Sequence, residues 1–120
     1  MSISNYAENA LLDAIGGTSF SVTTVYLQLH TGDAGEDGTA NTAGETTRQS
    51  VGFNAASGGS MSSSATVSWT NVSTSETLTH WSAWDASTAG NCLWTGALSG
   101  SATVAAGDTF QITSLTLTLD

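Results

Sequence analysis

A loop rich in carboxylates follows residue 30, and it is the first place where the sequence could carry chemistry. Its acidic side chains, together with one upstream that the fold could bring close, are Asp33, Glu36, Asp37, Glu45 and Asp13. Clustered carboxylate oxygens are the ligands that Ca²⁺ prefers. The EF-hand template fails, because Gly35 stands where the second ligand is needed and Glu45 comes one residue late. We therefore predict a solvated loop whose Asp and Gly residues form turns, with a looser calcium site or a subunit contact as alternatives.

Nucleophilic catalysis would need a serine, a histidine and a carboxylate brought together. The chain has His30 and His80 but lacks the GxSxG pattern of a nucleophile elbow. We predict that both histidines are structural and keep a small hydrolase that uses either one as an alternative. Cys92 lies among apolar residues, which indicates a small buried hydrophobe rather than a reactive thiol. We predict no enzyme activity, no catalytic residue, no metal and no cofactor.

The charge balance limits the classes of partner. Ten acidic residues stand against a single basic one, Arg48, so the formal net charge is -9. Nucleic-acid binding needs clustered cations, and an anionic membrane surface would repel this chain. Proteins, sugars or cations remain as partners. The N-terminus lacks the basic and apolar regions of a signal peptide, so we expect a soluble protein made in a cytoplasm.

The segment 1–17 is predicted to be helical. Its apolar residues recur at the spacing of one helix face, and they are Tyr6, Ala7, Ala10, Leu11, Ala14 and Ile15. Ser4 or Asn5 can cap the N-terminus, and the Gly16-Gly17 pair can end the helix. A helix of about ten residues is marginal alone. Its apolar face must therefore lie on a sheet or on another subunit.

The rest of the chain is predicted to form short strands separated by regular turn signals. Strict alternation places Ala65, Val67 and Trp69 inward. In the stretch 76–84 it places Leu78 and Trp84 on one face, and Trp81 and Ala83 on the other. These patterns predict an all-β protein. The expected fold is an antiparallel β-sandwich, jelly-roll or immunoglobulin-like, with one short N-terminal helix, forming a single domain over residues 1–120.

The strand edges and the aromatic residues point to contacts with other molecules. The chain has no proline and few charges, so its sheet edges lack the usual protection and must be covered by the helix or by a partner. Aromatic side chains are favoured at protein interfaces. We predict interface residues from the helix face and the tryptophans, namely Tyr6, Leu11, Ile15, Trp81, Trp84 and Trp94. The alternative is that the sandwich buries all of the tryptophans.

Several stretches together are similar to a known group of proteins. In order along the chain they are YAENALLDAIGG, YLQLHTGDAGEDGTAN, RQSVGFNAASGG, HWSAWDASTAGNCLWTGAL and AAGDTFQI. The chain resembles small virion structural proteins of tailed bacteriophages, often labelled tail fibre or minor structural proteins. The resemblance implies a non-enzymatic, β-rich virion component, made in the host bacterial cytoplasm and assembled as a symmetric oligomer such as a homotrimer.

Two functions fit that resemblance. Tail fibres are usually long and built from repeats or coiled coil, and neither pattern is visible here. We therefore expect a capsid decoration (cement) protein that binds the major capsid protein and further copies of itself, with no nucleic acid and no membrane as partner. The alternative is an adhesin of the tail tip or fibre that binds a host surface glycan. It predicts an exposed aromatic platform with carboxylates nearby.

Overall fold

The N-terminal helix begins and ends where the sequence predicts. In the computed structural model, which describes residues 2–119, helix α1 spans Asn5–Ile15. The Ser4 side chain caps it by accepting a hydrogen bond from the backbone N–H of Ala7, and Gly16 follows its last residue. Within the described residues, no helix is both long enough and apolar enough to cross a membrane.

Only part of the apolar face of α1 is used by the chain itself. Ala7 is buried and Leu11 is half-buried. In contrast, Leu12 and Ile15 are 66% and 85% exposed. The C-terminal half of the predicted face, at Ile15, therefore does not pack on the sheet of the same chain. The predicted alternative, a contact of this face with another subunit, stays a prediction.

Nine strands lie within residues 2–119. They are β1 Ser2–Ile3, β2 Val25–His30, β3 Gln49–Val51, β4 Ser60–Ser62, β5 Val67–Trp69, β6 Glu76–Trp84, β7 Cys92–Val104, β8 Phe110–Ile112 and β9 Thr116–Thr118. The main sheet has five strands in the order β1-β7-β6-β2-β3, and the ribbons β4-β9 and β5-β8 have two strands each. Every pair is antiparallel. The predicted all-β, sandwich-like fold with one short helix is confirmed.

The core lies between the main sheet and the ribbons. Leu27, Leu29 and Trp81 come from the main sheet, and Trp69 and Leu117 from the two ribbons, and all five belong to one buried cluster. Leu27 opposes Ala83 and Leu29 opposes Trp81 across β2 and β6, so these side chains share one face. The opposite face of the main sheet carries mostly polar side chains, among them Gln28, His30 and Ser82, together with Trp84. The candidate site lies on this face.

A β-bulge in β6 corrects the predicted face of Leu78. The pairing of β6 with β7 shifts between Leu78 and His80, so simple alternation fails there. Leu78 consequently joins Trp81 and Ala83 in the core, and the prediction that it shares a face with Trp84 is wrong. As predicted, Trp84 lies on the face of the sheet opposite to Trp81. The two residues are an odd number of positions apart in a part of β6 that pairs regularly with β2, so their side chains point to opposite faces.

The strand β5 is shorter than predicted. Val67 and Trp69 are buried as expected. Ala65 precedes the strand and is exposed, so its inward placement is wrong. Alternation cannot show where a strand begins when the preceding residues are small and polar.

Candidate functional site

The acidic loop, residues 31–44, lies across the polar face of the main sheet. Ala34, within the loop, is buried. At Gly38, which has a φ of +74°, a Cβ would lie 2.6 Å from the sulfur of Cys92 and 2.9 Å from the ring of Trp84. Only glycine avoids both contacts and accepts this backbone conformation without strain. The loop is therefore anchored on the sheet and is not solvated along its whole length.

The exposed carboxylates of the loop form turns, as the sequence predicts. Asp33 accepts a hydrogen bond from the backbone N–H of Gly35 at 3.0 Å. Asp37 accepts two from Thr39, one from the backbone N–H at 3.1 Å and one from the hydroxyl at 2.7 Å. These bonds from Thr39 lower the pKa of Asp37. Both carboxylates thus act as local turn formers.

The five acidic residues singled out in the sequence do not meet at one point. Glu45 is buried and accepts hydrogen bonds from the backbone N–H groups of Ser73 and Thr47, so its predicted place in a solvated loop is wrong. Asp13 lies on α1 and lines a separate depression. Among residues 2–119, no three His, Cys, Asp or Glu side chains are placed to hold a metal ion.

His30 belongs to a closed hydrogen-bond chain in the interior. Its Nδ1 lies 2.8 Å from the carbonyl of Ala40, which can only accept, so Nδ1 carries the proton. Its Nε2 then accepts from the Ser82 hydroxyl at 2.7 Å, and Ser82 accepts from the Trp84 indole N–H at 2.7 Å. His30 and Ser82 are fully buried, and burial lowers the pKa of His30. His30 is therefore buried and hydrogen-bonded at both ring nitrogens, as expected for a structural histidine.

The other two candidates for reactivity are also accounted for by local contacts. The Nδ1 of His80 lies 2.8 Å from the Thr79 hydroxyl. His80 is half-buried and lines a small polar pocket with Asp33 and Glu36. Cys92 is buried, and burial raises the pKa of its thiol to about 11, as expected for an unreactive small hydrophobe.

A cleft of about 550 Å³ opens where the N-terminus of α1, the acidic loop and the β6–β7 turn meet. Tyr6, which is 42% exposed, lines it together with the carboxylates of Glu36 and Asp37. Trp84 and Cys92 form part of the same lining but are buried. Amides and a hydroxyl complete the wall, from Asn5, Asn91 and Thr39. We call this the Tyr6 cleft. Sequence reasoning singled out Tyr6 and Trp84 separately but did not place them together.

The six predicted interface residues fall into two groups. The tryptophans among them, Trp81, Trp84 and Trp94, are buried by the chain itself, as the alternative interpretation expected. Tyr6 and Ile15 are exposed, and Leu11 is half-buried. A role for any of the six in contacts with another subunit stays a prediction.

By its fold, the chain is a small all-β protein with one short N-terminal helix. Residues 2–120 match the family model described as Podophage GP4 fiber I protein gp80. The chain belongs to that family of phage fibre proteins, which makes it a virion component and confirms the resemblance to tailed-phage structural proteins. No curated protein sequence matches it.

Proposed function

We propose that the chain is a non-enzymatic fibre module that binds a host surface glycan in the Tyr6 cleft. The observation that carries the proposal is the exposed Tyr6 side chain lining the same cleft as the carboxylates of Glu36 and Asp37. The adhesin hypothesis expects an exposed aromatic side chain with carboxylates nearby, so this arrangement supports the proposal. The fibre description of the family supports the same assignment.

The residues of the cleft suit a sugar chemically. An aromatic ring offers a flat apolar surface to the C–H face of a pyranose. Carboxylates accept hydrogen bonds from sugar hydroxyls, and the Asn5 side-chain amide can both donate and accept. The volume of about 550 Å³ is in the range of ligand sites. In this proposal Tyr6 supplies the stacking surface, and Glu36 and Asn5 fix the orientation of the ring.

A binding experiment tests this assignment directly. Polysaccharide purified from the phage's host should quench tryptophan fluorescence, because Trp84 lies in the lining of the cleft. Tyr6→Ala should weaken binding roughly tenfold through loss of ring contact, whereas Tyr6→Phe should retain it. Leu12→Ala, on α1 but outside the cleft lining, is the control. Wild-type affinity in Tyr6→Ala would contradict the assignment.

The number of copies per particle separates the fibre from the capsid. The family description favours a fibre over the capsid decoration protein expected from the sequence. Quantitative mass spectrometry of purified particles should therefore find few copies relative to the major capsid protein. Near-stoichiometric copies would restore the decoration hypothesis, because a cement protein repeats with the shell.

A further inference from the structure

The charged side chains in the lining of the Tyr6 cleft are two carboxylates. Glu36 and Asp37 are both exposed there, and within the described residues no lysine or arginine belongs to the lining. Arg48 is the only basic residue of the chain, and its guanidinium already donates hydrogen bonds to Gln28 and to two carbonyls of the β6–β7 turn. A ligand that enters the cleft therefore meets two negative charges.

The thiol of Cys92, in the buried lining of the cleft, responds to the sign of the local field. Burial is the main reason that its pKa is raised to about 11. The negative charges of Asp37 and Glu36 raise this pKa further, and Asp37 alone outweighs the opposing effect of Arg48. The potential in this part of the cleft is consequently negative, which favours a cationic ligand over an anionic one.

The N-terminus of α1 has the opposite effect on the potential, but it is weaker. The helix begins at Asn5, which lines the cleft, and its dipole places about half a positive elementary charge at that end. Glu8, in the first turn, reduces that positive potential. The full charges of Glu36 and Asp37 exceed the half charge of the helix, so the cleft stays negative.

The hydroxyl and amide groups around these carboxylates are oriented to offer acceptors. The Thr39 hydroxyl donates its proton to Asp37 at 2.7 Å, which leaves its lone pairs for a ligand. The Asn91 side-chain amide donates to Asp85 at 3.0 Å. Because a carboxylate can only accept, the carbonyl oxygen of Asn91 is the end without a partner among residues 2–119. The Ser4 hydroxyl likewise donates to a backbone carbonyl of β7.

An ammonium group matches this arrangement of charges and acceptors. It carries three donor protons and no acceptor, and its charge balances the carboxylates when a ligand displaces water from them. It is also attracted to the face of an aromatic ring such as that of Tyr6. A sugar hydroxyl would pair with the acceptors without balancing the charge. A carboxylate or phosphate group would do neither.

We propose that the glycan bound in the Tyr6 cleft carries free amino groups, which Glu36 and Asp37 hold in their protonated form while Tyr6 stacks on a sugar ring. This inference rests on the proposed function, because it names the class of glycan that the same cleft takes. Amines of this kind are protonated near neutral pH. Glycans whose charged groups are only carboxylates, phosphates or sulfates are excluded.

The test compares three forms of the polysaccharide purified from the phage's host: native, N-acetylated to block free amines, and carboxyl-reduced. Binding to the full chain is followed by tryptophan fluorescence. N-acetylation should weaken binding roughly tenfold, because the ion pairs with both carboxylates are lost. Carboxyl reduction should leave the affinity unchanged or raise it. Added salt should weaken the binding of the native form more than that of the N-acetylated form.

Glu36→Gln removes one of the two charges. Glu36 is exposed, and its side chain accepts one hydrogen bond, from the Ser2 hydroxyl at 3.3 Å, so the variant should retain the wild-type unfolding midpoint. It should weaken binding of the native polysaccharide roughly two- to fivefold and change binding of the N-acetylated form little. Glu8→Gln, which removes an exposed carboxylate outside the cleft lining, is the matched control and should bind like the wild type.

The outcomes separate this inference from the proposed function. Native polysaccharide that fails to bind, or that binds Tyr6→Ala as tightly as the wild type, would contradict the proposed function and this inference with it. Binding that depends on Tyr6 but is unchanged by N-acetylation would overturn only the assignment to an amino sugar. So would binding that carboxyl reduction abolishes.

Discussion

The guanidinium carbon of Arg48 lies 4.0 Å from the centre of the Trp84 ring. The same group donates hydrogen bonds to the carbonyls of Ala86 and Ala89 at 2.9 and 2.7 Å, and to the side chain of Gln28 at 2.9 Å. Arg48 is the only lysine or arginine in the chain. It therefore joins the β6–β7 turn to the sheet and covers the tryptophan that lies in the lining of the Tyr6 cleft.

Replacing this arginine by lysine tests its planar geometry apart from its charge. A lysine keeps the positive charge but cannot stack flat on Trp84 while also reaching both turn carbonyls. We expect Arg48→Lys to lower the free energy of unfolding by about 1–2 kcal/mol, measured by urea denaturation. Arg48→Met, which keeps only the apolar stem, should cost at least as much. A lysine variant as stable as the wild type would show that charge alone is sufficient.

Two glycines have left-handed backbones, and comparing their alanine variants separates the cost of backbone strain from the cost of steric contact. Gly38 and Gly58 have φ of +74° and +61°, but a Cβ meets Cys92 and Trp84 only at Gly38. Alanine at either position should lower the free energy of unfolding by about 1–2 kcal/mol, because its backbone is strained in this conformation. Gly38→Ala should lose clearly more than Gly58→Ala in urea denaturation, because the buried ring and sulfur must also move. Equal losses would mean that the loop shifts away from the sheet easily.

Gly96 and Gly100 provide a comparison within strand β7. A Cβ at Gly96 would lie 2.5 Å from the buried ring of Trp81, whereas at Gly100 it would meet nothing within 4 Å. We expect Gly96→Ala to lower the free energy of unfolding by about 1–3 kcal/mol through overpacking of the core. Gly100→Ala should be nearly neutral. Thermal unfolding of the two variants at one pH measures the difference, and similar midpoints would argue against close contact of Trp81 with the strand.

His30 makes stability depend on pH. Burial lowers its pKa in the folded state below the ordinary value of 6.5, so the unfolded chain takes up a proton first as pH falls. The contribution of neutral His30 is fully present above pH 6.5 and is lost as pH falls from there toward the folded-state pKa. Urea denaturation should show stability declining below pH 6.5.

A variant isolates the contribution of His30 to that decline. His30→Gln should be less stable at pH 7, by about 1–3 kcal/mol, because Ser82 or Ala40 loses its partner. It should also show a shallower loss of stability between pH 6.5 and 5. An unchanged acid slope in His30→Gln would assign the pH dependence to other groups.

The sequence was sufficient to predict the structure wherever that structure depends on residues close together along the chain. Ser4 and Gly16 mark the ends of α1 because capping is local. Alternation identified most of the strands but failed at Leu78, since a bulge adds residues that no local pattern announces. The partners of His30 come from other parts of the chain, and Ser82 is 52 residues away. Contacts of that kind depend on strand pairing, which the sequence alone does not specify.

The Tyr6 cleft was even harder to predict from the sequence. It combines the start of α1, the acidic loop and the β6–β7 turn, which are far apart in the sequence. Tyr6 carried a signal as part of the predicted apolar helix face, and Glu36 as part of a carboxylate cluster. Their proximity follows from the way in which Gly38 lets the loop approach the sheet. No periodicity or residue spacing in a single sequence indicates that a loop will pack this closely on a sheet.

The buried lining and the rim of the Tyr6 cleft are free to change to different degrees. Trp84 and Cys92 are held by Arg48 and by the loop at Gly38, so substitutions there disturb the fold. Asn5 and Glu36 are exposed and lie on the rim. On the proposed function, a phage lineage could alter its host range by substitutions at these rim positions alone, while the stability of the fibre module stays intact. Adaptation to a new receptor would then begin with single codon changes outside the core.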